Sequence, residues 1–320
     1  MAVEYPVYAP ARAGLVEAVR EYDIAAQQFI ARQALPIYGV EQEGAALSVQ
    51  TRESILRPVD TTHKDGSAYA RSGIALKDLP YLCKEQGFEE PITDVARRRF
   101  KSDFDAEKET VEVAVHRFLV AQERRASALL FNTTTWNGAT LYTDNKATPW
   151  STAASSAIGH IMAAKAIIRA NIGEEPNALI IGAAALDNLL KNTEILARFV
   201  GAGVITQAML AANMAAIFGL EKLIVGKKVY NSAKEGQTFV SAQVWDYKYA
   251  MLAKVADGDG APLAHSGLGR TLLWTEDSPE NEVIEQYRSN EIRGDVFRVR
   301  NFVMEVVFDA YFAHLMRIET

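Results

Sequence analysis

The sequence predicts an α+β fold, and three stretches carry that expectation. From Asn177 to Tyr230 it reads as a buried strand, a helix, a second helix and a closing strand joined by short turns. From Asp105 to Phe131 a long stretch keeps one apolar face. From Val296 to Ile318 large apolar residues alternate, as in one long strand or two. With 320 residues, 49% hydrophobic and 23% charged, the chain is ordinary globular protein with material for one large core or two smaller ones.

Residues 1–46 read as an N-terminal arm. Arg12 to Leu35 has helical spacing, with Leu15, Val19, Ile24, Phe29 and Ile30 set among charged residues and bounded by Pro10 and Pro36. Residues 47–80 read as an extended hairpin, with short pieces at Leu47–Val49 and Ile55–Leu56 and a turn at Lys64-Asp65-Gly66-Ser67. Arg52, Arg57, Asp60, Lys64 and Asp65 leave it few side chains for a core. A two-stranded arm of this kind is marginal in water unless it lies on something else.

Residues 81–150 hold the long helix, expected over 105–131. Val111, Val115, Phe118, Ala126 and Leu129 form its apolar face, with Ala114, Leu119 and Leu130 beside them. Glu107, Lys108, Glu109, Glu112, Arg117, Glu123, Arg124 and Arg125 take the remaining surface, acids early and arginines late, which suits the helix dipole. Such a helix runs roughly 40 Å. Its apolar face keeps no clean heptad, which argues against a coiled coil. A turn at Trp136-Asn137-Gly138 and a polar loop to Trp150 follow.

Residues 151–262 open with Ser151 or Thr152 as cap of a helix from Ala153 to Ala170, stopped by Gly173. Then come strand Ala178–Ile181, left through Gly182, and helix Ala184–Leu190 with Leu186, Leu189 and Leu190 on one face. A helix from Ile205-Thr206-Gln207 through Phe218 ends at Gly219, Leu223–Gly226 returns as a strand, and Val244-Trp245 opens another. Glycine-rich stretches at Asp257–Gly260 and Ser266–Gly269, read as lacking packing potential, span the passage into residues 263–320. These residues supply strand Thr271–Trp274 and the closing alternation, with Phe302, Met304, Val306, Phe308, Ala310 and Phe312 on one side.

Several function classes find no support. Cys83 is the sole cysteine, so no intramolecular disulfide forms, and it reads as a packed thiol. The start carries no secretory signal, and no apolar run approaches the roughly 20 residues of a membrane span. Gly201-Ala202-Gly203 follows a helix rather than a strand, and Gly182 is followed by three alanines, so neither is a nucleotide loop. His63, His116, His160, His265 and His314 are scattered without metal-ligand spacing, and the glycine, alanine and proline around Asp257 and Asp259 make a poor calcium loop. No catalytic residue, metal or cofactor is therefore expected. A soluble α/β enzyme is suggested only by the strand, glycine and helix at Leu179–Leu190, and no convergent polar pocket is visible. The net charge of −6 argues against nucleic-acid binding over most of the surface but allows a local basic face.

The words Pro176-Asn177 through Gly182, Ile205-Thr206 before a helix, and Val225-Gly226 followed by Tyr230-Asn231 closely resemble the axial domain of tailed-bacteriophage major capsid proteins of the HK97-like fold. The order of elements extends the resemblance over essentially the whole chain. It implies an arm (1–46), an extended loop (47–80), a peripheral domain with a spine helix (81–150), an axial domain (151–262) and return strands of the peripheral domain (263–320). It also implies a non-enzymatic protein that assembles with itself, as pentamers and hexamers, into an icosahedral shell enclosing double-stranded DNA. The shell would be built in the host bacterial cytoplasm and end in the virion capsid, without a membrane. A portal is a further implied partner. A separate scaffolding protein is another, since no long charged helical region precedes the arm.

On that resemblance the extended loop lies over a neighbouring subunit, which makes Arg52, Arg57, Asp60, Lys64 and Asp65 candidate intersubunit residues. The alternative is a hairpin folded on its own domain. The cluster Arg97-Arg98-Arg99-Phe100-Lys101 sits among Glu89, Glu90, Asp94, Asp103, Asp105 and Glu107, so its local balance is near neutral. It reads either as a mixed-charge face pairing with a neighbouring subunit or as a lumen-facing, sequence-independent contact for DNA phosphates, joined by Arg124 and Arg125. An encapsulin-like compartment around cargo enzymes shares the fold; the long stretch from Met1 to Leu79 favours the virus.

Overall fold

The computed structural model describes residues 29–63, 65–66, 68–100, 106–198, 207–263 and 267–320. Two five-stranded sheets organise them. The first contains β1 (Ile37–Val40), β4 (Lys84–Thr93), β11 (Gly269–Trp274), β12 (Val283–Ser289) and β13 (Gly294–Val307). The 14-residue β13 is its backbone: β4 and β12 flank its first half, and β11 pairs with residues 303–307. Helix α1 (Asp94–Phe100) leads to the spine helix α2 (Ala106–Leu130), which lies on β4 and β13. Val111, Ala114, Val115 and Phe118 recur at helical spacing and pack on Ile92, Ile284, Phe297 and Val299 of the sheet. Fully burying each such large side chain contributes roughly 1.5–3 kcal/mol.

The second sheet has the order β5-β14-β10-β6-β7, from β5 (Tyr142–Asp144), β6 (Ala178–Gly182), β7 (Lys222–Gly226), β10 (Tyr249–Ala253) and β14 (Ala313–Arg317). All of β6 is buried and it runs parallel to β7, as a continuous apolar run requires. Helices α3 (Ala157–Ile172), α4 (Ala183–Leu189), α5 (Thr193–Ala197) and α6 (Gln207–Ile217) accompany this sheet, and all four give side chains to one apolar core. Two antiparallel pairs stand apart: β2 (Gly44–Gln50) with β3 (Leu76–Leu82), and β8 (Val229–Asn231) with β9 (Ser241–Gln243).

The structure revises several sequence expectations. Residues 12–28 of the expected arm helix lie outside the described residues. Its end is a single buried turn, Ala31–Ala34, and Ile37–Val40, read as arm, is a strand parallel to β11. Ile55–Leu56 is no strand: Thr51 accepts from the Ser54 N–H and caps a helical turn, Arg52–Ile55. Helix α3 starts at Ala157 rather than Ala153, because Ser151 binds the Glu319 carboxylate instead of capping a helix; Gly173 (φ 74°) ends it as expected. Val244-Trp245 lies just past the end of β9 rather than opening a strand. The 257–260 loop does pack: Asp259 Oδ1 accepts from the Ile37 N–H at 2.6 Å and Asp259 Oδ2 from Arg32 at 3.0 Å. β14 joins the second sheet, because Asp309 caps a 3-10 turn, Ala310–Phe312, that breaks the closing alternation.

Candidate assembly surfaces

Beyond β2 and β3 the chain projects as a loop, residues 51–75. Its apolar side chains find little cover: Ile55 is 60% exposed, Tyr69 75% and Ile74 72%, with Leu56 and Val59 similarly open. Large apolar side chains left open in this way are what an interaction surface offers. The base of the loop is fixed by Ser54 Oγ, which accepts from the Ala75 N–H at 3.0 Å. Arg52, a candidate for intersubunit contact, is engaged within its own chain. It donates to the Asn171 carbonyl at the end of α3 at 2.9 Å, and its guanidinium lies 3.8 Å from the Tyr311 ring centre. Asp60 is exposed and accepts from the Thr62 N–H at 2.9 Å, which lowers its pKa. Arg57 and Asp65 are exposed, and Lys64 lies outside the described residues. At the elbow where the loop meets the second sheet is a groove of about 520 Å³ lined by Leu47, Val49, Ile55, Ile172, Phe308 and Phe312 among others.

The basic segment divides. Arg97 is bound to Asp295 and, at 3.2 Å, to Glu107, and the Asp295 hydrogen bond raises its pKa. Arg125 donates to Glu305 at 3.0 Å and to Gln86 at 3.3 Å, and Arg124 lies 4.5 Å over the Tyr230 ring. Arg98 and Arg99 are exposed on α1, while Lys101 lies outside the described residues. Among the described residues no ion pair or ring contact joins this segment to Arg124 or Arg125. Arg97 and Arg125 are thus ion-paired within the chain, whereas Arg98, Arg99 and Arg124 are exposed.

His314 and His160 are tied into the fold, whereas His63 is exposed and stacks on Tyr69, and His265 lies outside the described residues. His314 is buried, with Nε2 2.8 Å from the Thr143 hydroxyl and Nδ1 3.2 Å from the Thr140 carbonyl, and burial lowers its pKa. His160 accepts at Nδ1 from the Trp150 indole at 3.1 Å, and its pKa is also lowered by burial. Cys83 is buried and its thiol is pushed up to about 11, chiefly by burial, which disfavours the thiolate. Among the described residues no group of three His, Cys, Asp or Glu side chains could hold a metal, and no helix is long and apolar enough to cross a membrane.

A junction missed by the sequence reading joins the spine helix to the second sheet. Glu123, assigned to the solvent face of α2, is 1% exposed. Its carboxylate accepts from the Ala31 N–H and from the Trp245 indole N–H. Burial raises its pKa, and these hydrogen bonds oppose that rise. Trp245 is fully buried beside Gly182 and Gly226, whose missing side chains make its room: a Cβ on Gly182 would lie 2.6 Å from the Trp245 carbonyl oxygen. Lys228, in the link from β7 to β8, reaches the same helix at His116.

No protein-family model matches the chain. It is 24% identical over 210 residues to a protein named the major capsid protein of Burkholderia phage BcepMu; the aligned part is 65% of this chain and 66% of that one, just under two thirds of the relative's length. A phage-related protein from Bordetella bronchiseptica RB50 matches in structure with a TM-score of 0.73 at 18% identity, covering 97% of this chain and 98% of the other. The capsid of a native GTA particle matches with a TM-score of 0.58 at 14% identity, covering 100% and 95%. The fold is the HK97-like capsid fold, α+β, as the order of elements implied.

Proposed function

We propose that this chain is a phage major capsid protein that assembles with itself into the closed icosahedral shell around a double-stranded DNA genome. One observation carries the reading beyond fold: the loop between β2 and β3 leaves Ile55, Leu56, Val59, Tyr69 and Ile74 at least half exposed. A loop of that composition requires cover, and a second copy of the chain supplies it when subunits pack into pentamers and hexamers. The likeness to a named capsid protein and to capsid structures supports the same conclusion. A structural rather than catalytic role agrees with His314 and Cys83, which are buried in the core, and with His160, which is held by Trp150.

The finer partners follow from this reading. Packaged DNA needs only charge contact without base readout, for which Arg98 and Arg99 are the open candidates. A portal and a separate scaffolding protein, assembly in the host cytoplasm and residence in the virion complete it. The test is electron microscopy of the purified full chain with extraction and sizing of any enclosed nucleic acid. Regular shells, with genome-length DNA when purified from virions, are expected. Shells holding protein cargo instead would favour the encapsulin-like reading, and a soluble monomer at every concentration would overturn both.

A further inference from the structure

We infer that Arg52 is a positioning residue for assembly: it braces the projecting loop against the second sheet and sets the angle at which the loop leaves its own subunit. The inference rests on the reading of residues 51–75 as a surface between copies. The strands that carry the loop are rooted on the first sheet, where Leu47 of β2 and Tyr81 of β3 pack with Val40, Leu272 and Val306. A two-stranded ribbon held at one end is marginal by itself. Beyond the root, the turn Arg52–Ile55 leaves Ile55 60% and the following Leu56 59% exposed, beside a groove of about 520 Å³. Apolar packing therefore does little to fix the elbow.

Arg52 supplies a second point of attachment. Its turn is rigid with the ribbon, because the Thr51 N–H donates to the Ala75 carbonyl at 3.3 Å and the Ala75 N–H to Ser54 Oγ at 3.0 Å. From that turn Arg52 Nη1 donates to the Asn171 carbonyl at 2.9 Å, and the guanidinium stands 3.8 Å from the Tyr311 ring centre. Asn171 lies in the last turn of α3, where carbonyls lack a partner within the helix and the helix end favours a cation. Tyr311 belongs to the 3-10 turn that carries the chain from β13 to β14, and it packs against the core of the second sheet. One guanidinium thus ties a ribbon rooted on the first sheet to a helix and a turn of the second. Arginine suits the seat because its planar fork donates at the edge while its face lies on a ring, which a lysine ammonium does less well. Among the described residues no other side chain of 51–75 makes a hydrogen bond, ion pair or ring contact outside the loop. A loop held at one angle before subunits meet spares docking the cost of ordering it.

Two measurements on the full chain test this, one before assembly and one during it. Cys83, the sole native cysteine, is buried, so spin labels can be placed through Glu53→Cys and Lys191→Cys, both at exposed positions. In unassembled subunits the label-to-label distance distribution should be narrow with Arg52 present and broader in Arg52→Ala. Arg52→Lys, which keeps the charge and a donor, should fall between them, and Tyr311→Phe, which keeps the ring, should match wild type. The protein concentration at which shells form should rise by about tenfold in Arg52→Ala, the factor that loss of one charge-assisted hydrogen bond per subunit supplies, and return part of the way in Arg52→Lys. The urea midpoint of unassembled Arg52→Ala should stay near wild type, because the brace acts on the loop and not on a core. An Arg52→Ala distribution as narrow as wild type, or shells at the wild-type concentration, would overturn the brace. Wild-type subunits that form no shells would instead overturn the assembly reading, and the distances alone would then judge the brace.

Discussion

Gly226→Ala tests how the axial sheet and the spine helix are joined. Gly226 closes β7 with its α-carbon against the Trp245 side chain. A methyl there would lie 2.8 Å from Trp245 Cβ and closer still to Cγ and Cδ1. The indole cannot simply withdraw: it is fully buried, meets the Phe131 ring edge to face at 5.2 Å, and donates to Glu123. Forcing a methyl into a packed site costs about 1–3 kcal/mol. Displacing the indole also breaks a hydrogen bond to a buried charged group, about 1.5–3 kcal/mol. Together they predict a loss of about 2.5–6 kcal/mol, a large share of the roughly 5–15 kcal/mol stability of a typical native protein. Trp245→Phe removes the N–H donor and the second ring, leaving a cavity in a fully buried site, so it should lose about 2–5 kcal/mol. The assay is urea unfolding of the full chain followed by circular dichroism, read as midpoints at equal slope. Both variants should unfold at lower urea than wild type. A Gly226→Ala midpoint at or above that of wild type would refute the geometry assigned to this junction.

Other predictions rest on separate parts of the fold. Phe118→Asp puts a carboxylate where Phe118 is 3% exposed against the sheet, costs several kcal/mol, and should yield insoluble protein; a wild-type melting temperature would contradict the assigned face. Burial lowers the pKa of both His314 and His160, so each resists protonation in the folded chain. Their stabilisation should be full above about pH 6.5 and decline below it; melting curves at pH 7.5 and 5.5 should differ, and less so in His314→Asn if that residue contributes. Arg98→Ser with Arg99→Ser should leave shell formation intact and lower the stability of DNA-filled particles relative to empty ones, with a weaker salt dependence. An equal loss in empty and filled particles would move these arginines to a subunit contact.

Much of the architecture was legible because burial imposes period. The continuous apolar run of β6 and the stripe through Val111, Val115 and Phe118 have one physical reading each. β12 escaped notice because its residues alternate with charges that are neutralised only in three dimensions, as when Glu285 accepts from Arg300 at 2.9 Å. The switch of β14 to the second sheet is invisible to alternation, which fixes a strand's faces but not its partners. Glu123 was misplaced by its charge alone. It lies in step with Leu119, Ala126 and Leu130 on the apolar stripe, and that spacing was the available sign of a buried carboxylate. The basic run at Arg97–Arg99 gave no sign of its partner within the chain, because Arg97 is bound to Asp295, nearly two hundred residues away.

The central claim is that residues 51–75 are covered by another copy of the chain. A cryo-electron microscopy map of assembled particles, at a resolution that traces the backbone, tests it most directly. Density for Val59, Tyr69 and Ile74 should pack against a neighbouring subunit, with Arg52 still seated on Asn171 and Tyr311 of its own chain. A loop folded back on its own subunit, or standing in solvent in a well-formed shell, would contradict it.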